Sequence, residues 1–366
     1  MKSERAPRLL LGVLLAGILL YFFFRGVDLR ALAAAFRAAK PLGLAAVAAI
    51  TVVTYAARAW RWGDLLAPLA RVPFPRLFSA TLVGFTSGLF IPRAGEVVRP
   101  YLVARHHALS VSGAFASIIV ERLVDLITVL VLFSLYLYVL PTPSAQLHTG
   151  LMPELKRAGA LAALLALGVL AVLLAFHSRA ERVLALADRL LVRLPRRLAG
   201  PLRDGLRAFG AGLGVLQAPW PHLLKIAGQS LLTWLSIALA IFVNNRAFGM
   251  ALPFHSSFLM LGFLTVGVAV PTPGMVGGFH FAYQLALTQA YGVDKETAAA
   301  AGIACHALTN IPVLLLGLAC LAREGLSVGA VTELAQGRGE GAAPDRTLPD
   351  PGPENSEDAA HPRVKP

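Results

Sequence analysis

Glu121, Arg122 and Asp125 stand inside a long apolar stretch that begins near Ser110 and runs to Leu140. On a helix Glu121 and Asp125, four residues apart, share a face, and Arg122 one step round can pair with either carboxylate. Ionisable side chains inside a membrane segment cost several kcal/mol unless paired or hydrated, so such a group marks a functional site by default. An internal salt bridge that only locks helix packing is the alternative. A second group, Arg93, Glu96 and Arg99, follows a break at Ile91-Pro92-Arg93-Ala94-Gly95. Two guanidiniums beside a turn of exposed amides suit a phosphate, whereas an Arg near a span end can also simply mark topology or touch lipid headgroups. Tyr55, Arg58, Arg61 and Trp62 form a third group, either part of a binding site or an aromatic-basic anchor at the membrane interface. In the other half, His280 follows Gly277-Gly278, and His306 and Asn310 lie four apart; these are candidate binding side chains or polar packing residues.

The elements that carry these groups are hydrophobic. Of 366 residues, 57% are hydrophobic and 14% charged, well below the roughly 25% charged residues of soluble domains. A soluble globular protein is thereby excluded. The net charge of +13 could suggest nucleic acid, but a mean hydropathy of +0.67 does not fit such a partner; the positive excess suits membrane orientation and anionic lipid. Cys305 and Cys320 lie in one apolar stretch without metal-site spacing and are expected to be packing residues. No phosphate loop, H-E-x-x-H or G-x-S-x-G occurs, and Gly210, Gly212 and Gly214 follow no strand, so no ATPase, common hydrolase or dinucleotide chemistry is indicated. No cofactor and no metal are expected.

Apolar stretches occupy residues 9–24, 41–57, 77–91, 126–140, 158–176, 226–245, 247–293 and 297–321. A crossing helix needs about 20 residues, so the shortest need not cross. The heaviest basic segment holds Arg179, Arg182, Arg189, Arg193, Arg196, Arg197, Arg203 and Arg207, and belongs in the cytoplasm. The N-terminus with Lys2, Arg5 and Arg8 belongs there too, which forces residues 77–91 to enter and turn back without crossing. The same parity predicts a second re-entrant hairpin, entering from outside, broken at Pro271-Thr272-Pro273-Gly274-Met275-Val276-Gly277-Gly278. Broken backbone at membrane depth is tolerated where protein buries it or a wet cavity adjoins it. Sliding the chain by 184 positions pairs Leu109-Ser110 with Val293-Asp294, Glu96 with His280 and Arg122 with His306, consistent with an inverted repeat. The expected fold is thus an all-α polytopic membrane protein, an inverted repeat with two re-entrant helical hairpins. Residues 1–322 form the multi-pass region, 179–220 its amphipathic cytoplasmic connection, and 323–366 a disordered cytoplasmic tail rich in Pro, Gly, Glu, Asp and Ser. Both termini are expected in the cytoplasm, and the whole in the cell (inner) membrane.

Arg58-Ala59-Trp60-Arg61-Trp62, Pro92-Arg93-Ala94-Gly95-Glu96-Val97-Val98-Arg99, Glu121-Arg122-Leu123-Val124-Asp125 and Pro271-Thr272-Pro273-Gly274-Met275-Val276-Gly277 together resemble the lysylphosphatidylglycerol synthase transmembrane region, a family of flippase-like membrane proteins. The resemblance spans about residues 10 to 322. In two-domain members a soluble aminoacyl-transfer domain follows the membrane region, which moves the lipid product between leaflets. The resemblance implies a stand-alone member without that activity. Two departures stand out: the family usually has an acidic residue after the second Gly-rich break and an Arg on the last long helix, where this chain has His280 and His306.

Residues and resemblance converge on movement of an anionic or phosphate-bearing lipid, including glycolipids, across the cytoplasmic membrane. Arg58, Arg61, Arg93, Glu96, Arg99, Glu121, Arg122, Asp125, His280, His306 and Asn310 form the expected site. Within it Arg93, Arg99 and Arg122 hold the headgroup, and Glu96, Glu121 and Asp125 hold the arginines. Pro92, Gly95, Pro271, Pro273, Gly274, Gly277 and Gly278 form the hairpin gate. The partner is a membrane lipid and not nucleic acid; a second copy or an envelope-biosynthesis enzyme is also compatible. Two other classes stay open: an intramembrane transferase with a lipid-linked donor and a Glu96, Glu121 or Asp125 base, and a scaffold acting through its Arg179 to Arg207 surface.

Overall fold

A computed structural model describes residues 5–91, 94–107, 109, 111–140, 152–191 and 216–325. Among them the chain is helical, with no strand. Helix α1 (Arg5–Phe24) ends at a sharp turn into α2 (Leu29–Ala38), the two axes meeting at 83°. Asp28 starts α2 by accepting a hydrogen bond from the Arg30 amide at 2.8 Å. Then follow α3 (Pro41–Leu66), α4 (Phe74–Phe90), α5 (Gly95–His106), α6 (Val111–Tyr138) and α7 (Met152–Leu191), whose backbone breaks at Arg179 (φ −148°, ψ 42°). After residue 215 come α8 (Trp220–Ala247), α9 (Ser256–Ala269), a single 3-10 turn (Pro273–Met275), α10 (Gly278–Leu285) running into a π-turn (Ala286–Ala290), and α11 (Lys295–Arg323). Asp294 caps α11 through the Thr297 amide at 2.8 Å.

Pro41–Leu66, Pro153–Arg179, Trp220–Ala247 and Lys295–Arg323 are long and apolar enough to cross a membrane, and the bent α1–α2 pair makes a fifth candidate. The protein is therefore a multi-pass membrane protein. Helix α6, with 28 residues, is just as long, but carries Glu121, Arg122 and Asp125 in its middle. Helix α2 was not foreseen; its alanine-rich sequence with Arg30 and Arg37 hides an amphipathic helix that buries Leu32 against Ala299 and Ala300 of α11.

Helices α4 and α9, with 17 and 14 residues, are shorter than a ~20-residue crossing, and each folds back on the short helix that follows it. The arms of both hairpins meet glycine on glycine. A Cβ on Gly95 would stand 2.5 Å from the Gly84 carbonyl oxygen, and one on Gly278 would stand 2.2 Å from that of Gly267. Gly95 and Gly278 thus serve as close crossings at helix starts, and the turn itself lies outside them. Both members of this contact repeat at a spacing of 183 positions, and so do their neighbours: a Cβ on Gly84 would strike Arg99, one on Gly267 would strike Ala282. The offset of 184 holds for α6 against α11, whose starts are Val111 and Lys295. The π-turn at Ala286–Ala290 supplies the extra residue between these registers. Within the hairpins the counterpart of Arg99 is accordingly Ala282, and the pairing of Glu96 with His280 shifts by one residue.

Buried side chains form two main apolar cores joined by the long helices. One gathers residues 59–66 of α3, α4, α5 and Ala114, Ile118 and Val120 of α6; the other gathers Val129 to Leu137 of α6 with α8, α9, α10 and the first half of α11. Between these cores α6 carries Glu121 to Asp125, about 15 Å from its start at 1.5 Å per residue.

Candidate functional site

Glu121 is fully buried and surrounded by guanidiniums. Arg99 of α5 donates to both its oxygens at 3.1 and 3.0 Å, Arg122 donates to Oε1, and Arg61 of α3 stands 3.6 Å away. The two-pronged Arg99 contact needs a planar fork, which lysine lacks. One turn on, Asp125 accepts from Arg61 at 2.5 Å and from the Trp234 indole of α8 at 2.8 Å, with Arg122 at 3.4 Å and Arg58 at 3.8 Å. Arg61 donates further to Ser230 of α8 at 2.8 Å. Aromatic rings complete the enclosure: Arg99 lies 4.3 Å over Trp62, whose indole donates to Ser117, and Arg58 lies among Tyr55, Phe85 and Trp234.

Four guanidiniums thus face two carboxylates within ion-pair distance, between two apolar cores. The arginines are not equivalent. The Arg61 side chain is 0% exposed and is spent on the scaffold, while that of Arg122 is 39% exposed. Arg58 is buried, yet its Nη1 has no hydrogen-bond partner among the described residues, and its nearest carboxylate oxygen is beyond bonding distance.

Arg58 lines a cavity of about 160 Å³ that opens between the two halves. Its walls come from Thr51, Tyr55 and Arg58 of α3, Ile237 and Ile241 of α8, Met275 and Phe279 of the second hairpin, and Cys305, Thr309 and Asn310 of α11. The site therefore sits where the charged half meets an uncharged one. At the α6-to-α11 spacing of 184, Glu121 is replaced by Cys305, Arg122 by His306 and Asp125 by Thr309.

Most residues singled out in the sequence come together here. Arg58, Arg61, Arg99, Glu121, Arg122 and Asp125 form one network, and Asn310 lines the cavity. Burial of Arg58 and Arg61 replaces the interfacial-anchor alternative with a place inside the protein. Glu96 is half-buried at the start of α5; Arg99, three residues on, turns away from it to Glu121. Pro92 and Arg93 lie outside the described residues, as do Arg193, Arg196, Arg197, Arg203, Arg207 and the tail beyond Gly325. His280 and His306 meet with ring centres 4.5 Å apart, but they serve the second hairpin's turn: His306 Nε2 donates to the Gly274 carbonyl at 2.8 Å, and His280 Nδ1 accepts from the Gly277 amide at 3.4 Å. That turn needs its glycines, because Gly274 (φ +59°) and Gly277 (φ +87°) are left-handed and a Gly277 Cβ would press on Ala16 of α1. Pro271 and Pro273 flank it, with the Pro271 carbonyl 3.1 Å from where a Gly12 Cβ would be. Ser230, Trp234, Thr51 and Thr309 were not anticipated. The run Gln229, Ser230, Thr233 and Trp234 on one face of α8 was the signal for the first two.

Compared with known proteins, residues 9–317 match the family described as the lysylphosphatidylglycerol synthase TM region, and the chain belongs to that family. A relative among characterised proteins is the glycosyltransferase AglD of Haloferax volcanii, 31% identical over 130 residues. That match spans 35% of this chain and 21% of the relative.

Proposed function

We propose that this chain moves a lipid with an anionic, phosphate-bearing headgroup between the leaflets of the cytoplasmic membrane, with both of its termini on the cytoplasmic side. The observation that carries the reading is the cluster of four guanidiniums around two carboxylates at the join between the halves, with Arg58 lining the adjoining cavity. Asp125 Oδ2 faces Arg58 Nη1 only at 3.8 Å, beyond hydrogen-bond reach, and a phosphate oxygen is an acceptor whose charge and geometry suit such a guanidinium. In this reading Glu121 and Asp125 orient the arginines, Arg58 with the half-exposed Arg122 receives the headgroup, and the two hairpins close the groove from opposite sides. The acyl or prenyl tail stays in lipid. Family membership and the inverted repeat with broken segments at matching positions support it.

A transferase acting on a lipid-linked donor is the second reading, favoured by the glycosyltransferase name of the relative from Haloferax volcanii. Against it, Glu121 and Asp125 are each held by several arginines and are poorly placed to take a proton. The test is leaflet exchange of fluorescent phosphatidylglycerol in proteoliposomes, wild type against Arg58→Gln, with mass spectrometry of the lipids afterwards. Exchange that Arg58→Gln lowers at least tenfold supports lipid movement. A new covalent lipid product without exchange moves the assignment to the transferase, and neither result overturns both.

A further inference from the structure

The second hairpin turns through a backbone that its sequence does not favour. Val276 donates its amide to the Pro273 carbonyl at 3.1 Å, closing a four-residue turn whose central residues, Gly274 and Met275, both have φ of +59°. Two positive φ values define a type I′ turn, which ordinarily takes Asn-Gly or Gly-Gly. Met275 is the only non-glycine residue with positive φ among the described residues. A left-handed methionine is strained, whereas Gly-Met suits the type II′ turn, in which only the first central residue needs a positive φ. The two turns differ by a half-rotation of one peptide unit, that joining Gly274 to Met275, and both keep the bond from Val276 to Pro273.

That peptide is held in its strained setting at both ends. Its carbonyl, on Gly274, accepts from His306 Nε2 of α11 at 2.8 Å, and its amide, on Met275, donates to the Thr272 carbonyl at 3.0 Å. His306 is itself set among rings, with the centre of His280 at 4.5 Å and that of Phe279 at 5.2 Å. Half a rotation gives up both bonds and relieves Met275, so strain and hydrogen bonding oppose each other. The location gives the opposition a use. Met275 lines the cavity with Arg58 and Phe279, and Gly274 lies against the first hairpin, where a Cβ would stand 3.6 Å from the Leu89 carbonyl oxygen. We propose that the Gly274–Met275 peptide is a two-state latch. In its type I′ form it ties the second hairpin's turn to α11 and holds the cavity wall where the two hairpins meet; in its type II′ form it lets go of His306 and frees the turn to move. The latch is a property of this turn and does not depend on the lipid-movement reading.

Substitutions at Met275 separate a latch from a plug. Asparagine tolerates positive φ and β-branched valine does not, yet the two are similar in size. The reporter is the protein's own Cys305, buried in the cavity wall and labelled with N-ethylmaleimide in full-length Cys320→Ser protein, in nanodiscs of phosphatidylglycerol and phosphatidylethanolamine. Met275→Asn should slow labelling and Met275→Val should speed it, each by about fivefold or more, because a residue misplaced in the left-handed region carries a cost of that order. Equal rates for the two variants, or both faster than the parent, make Met275 a filler of the cavity and overturn the latch. The peptide itself is read by NMR. Gly-Met occurs in this sequence at 249–250 and 274–275, so glycine labelled with 13C at the carbonyl and methionine labelled with 15N give two linked amide signals. The first, whose amide donates to the Asn245 carbonyl at 3.0 Å, reports that each variant is folded. His306→Ala should strip the Met275 amide of its protection against hydrogen exchange, whereas His306→Gln, which keeps a donor, should retain it; unchanged protection in His306→Ala overturns the switch. Exchange of phosphatidylglycerol by the Met275 variants should follow their labelling rates. Labelling that responds while no variant exchanges lipid leaves the latch standing and overturns lipid movement.

Discussion

Arg61 and Arg58 are one helical turn apart on α3, yet the structure assigns them opposite duties, and replacing each with glutamine separates the two. Arg61→Gln removes a fully buried guanidinium that bonds Asp125 at 2.5 Å and Ser230 at 2.8 Å. Breaking a buried ion pair by deleting one partner costs about 3–5 kcal/mol, because the other charge remains behind. At roughly 2–4 °C per kcal/mol for a mid-sized domain, the melting temperature in detergent should fall on the order of 10 °C. Arg58→Gln removes a guanidinium whose nearest carboxylate oxygen is 3.8 Å away and whose Nη1 bonds nothing among the described residues. What it loses is chiefly ring contact with Tyr55, Phe85 and Trp234, about 1–2 kcal/mol, offset in part by relief of crowding with Arg61 and Arg122. Its melting temperature should move by only a few degrees. Exchange of phosphatidylglycerol should fall at least tenfold in the same protein, since a hydrogen bond to a charged group contributes about 1.5–3 kcal/mol. Thermal unfolding read by tryptophan fluorescence, paired with proteoliposome exchange, distinguishes the two. Equal destabilisation by both substitutions would mean that Arg58 is scaffold; a stable Arg58→Gln with undiminished exchange would place the headgroup elsewhere.

The hairpin crossings predict a contrast among glycines. Gly95→Ala and Gly278→Ala push a methyl into opposing backbone and should each lower stability by about 1–3 kcal/mol, whereas Gly228→Ala, on α8 with open space around it, should be neutral or stabilising; denaturation midpoints decide. His306→Ala frees the Gly274 carbonyl, and a cysteine substituted for Met275 should then react faster with a water-soluble maleimide; an unchanged rate would remove the histidine from the hairpin's support. For orientation, Ser144→Cys in a protein otherwise lacking cysteine should be labelled by an impermeant reagent from outside intact cells. Labelling only after lysis would reverse the proposed topology.

The charged centre was legible because Glu121, Arg122 and Asp125 interrupt an apolar run, and the turn between α9 and α10 was legible because Pro and Gly cluster in it. Pairing was harder to see. Arg61 reaches Asp125 across 64 positions, and Arg99 passes over Glu96, three residues away on its own helix, for the buried Glu121 22 positions on. No local pattern predicts that choice, which follows from the face α5 turns towards α6. Thr51 and Thr309 were silent for another reason: threonines in apolar helices commonly bond their own backbone, as these do, so only the cavity between them shows what their lone pairs face. The repeat was found one residue out of step in the hairpins, because a π-turn leaves no mark in composition.

At Gly84·Gly95 and at Gly267·Gly278 backbone meets backbone, so one arm of a hairpin cannot slide along the other there without a clash. Each pair of arms is therefore a stiff lever, and widening the cavity demands that a lever tilt as a unit about its attachments. For the first hairpin one such pivot is the segment 67–73, and for the second they are 248–255 and 291–294. In the proposed lipid movement the speed would then be set at short connecting segments far from the arginines, where substitutions slow the protein without touching the charged site.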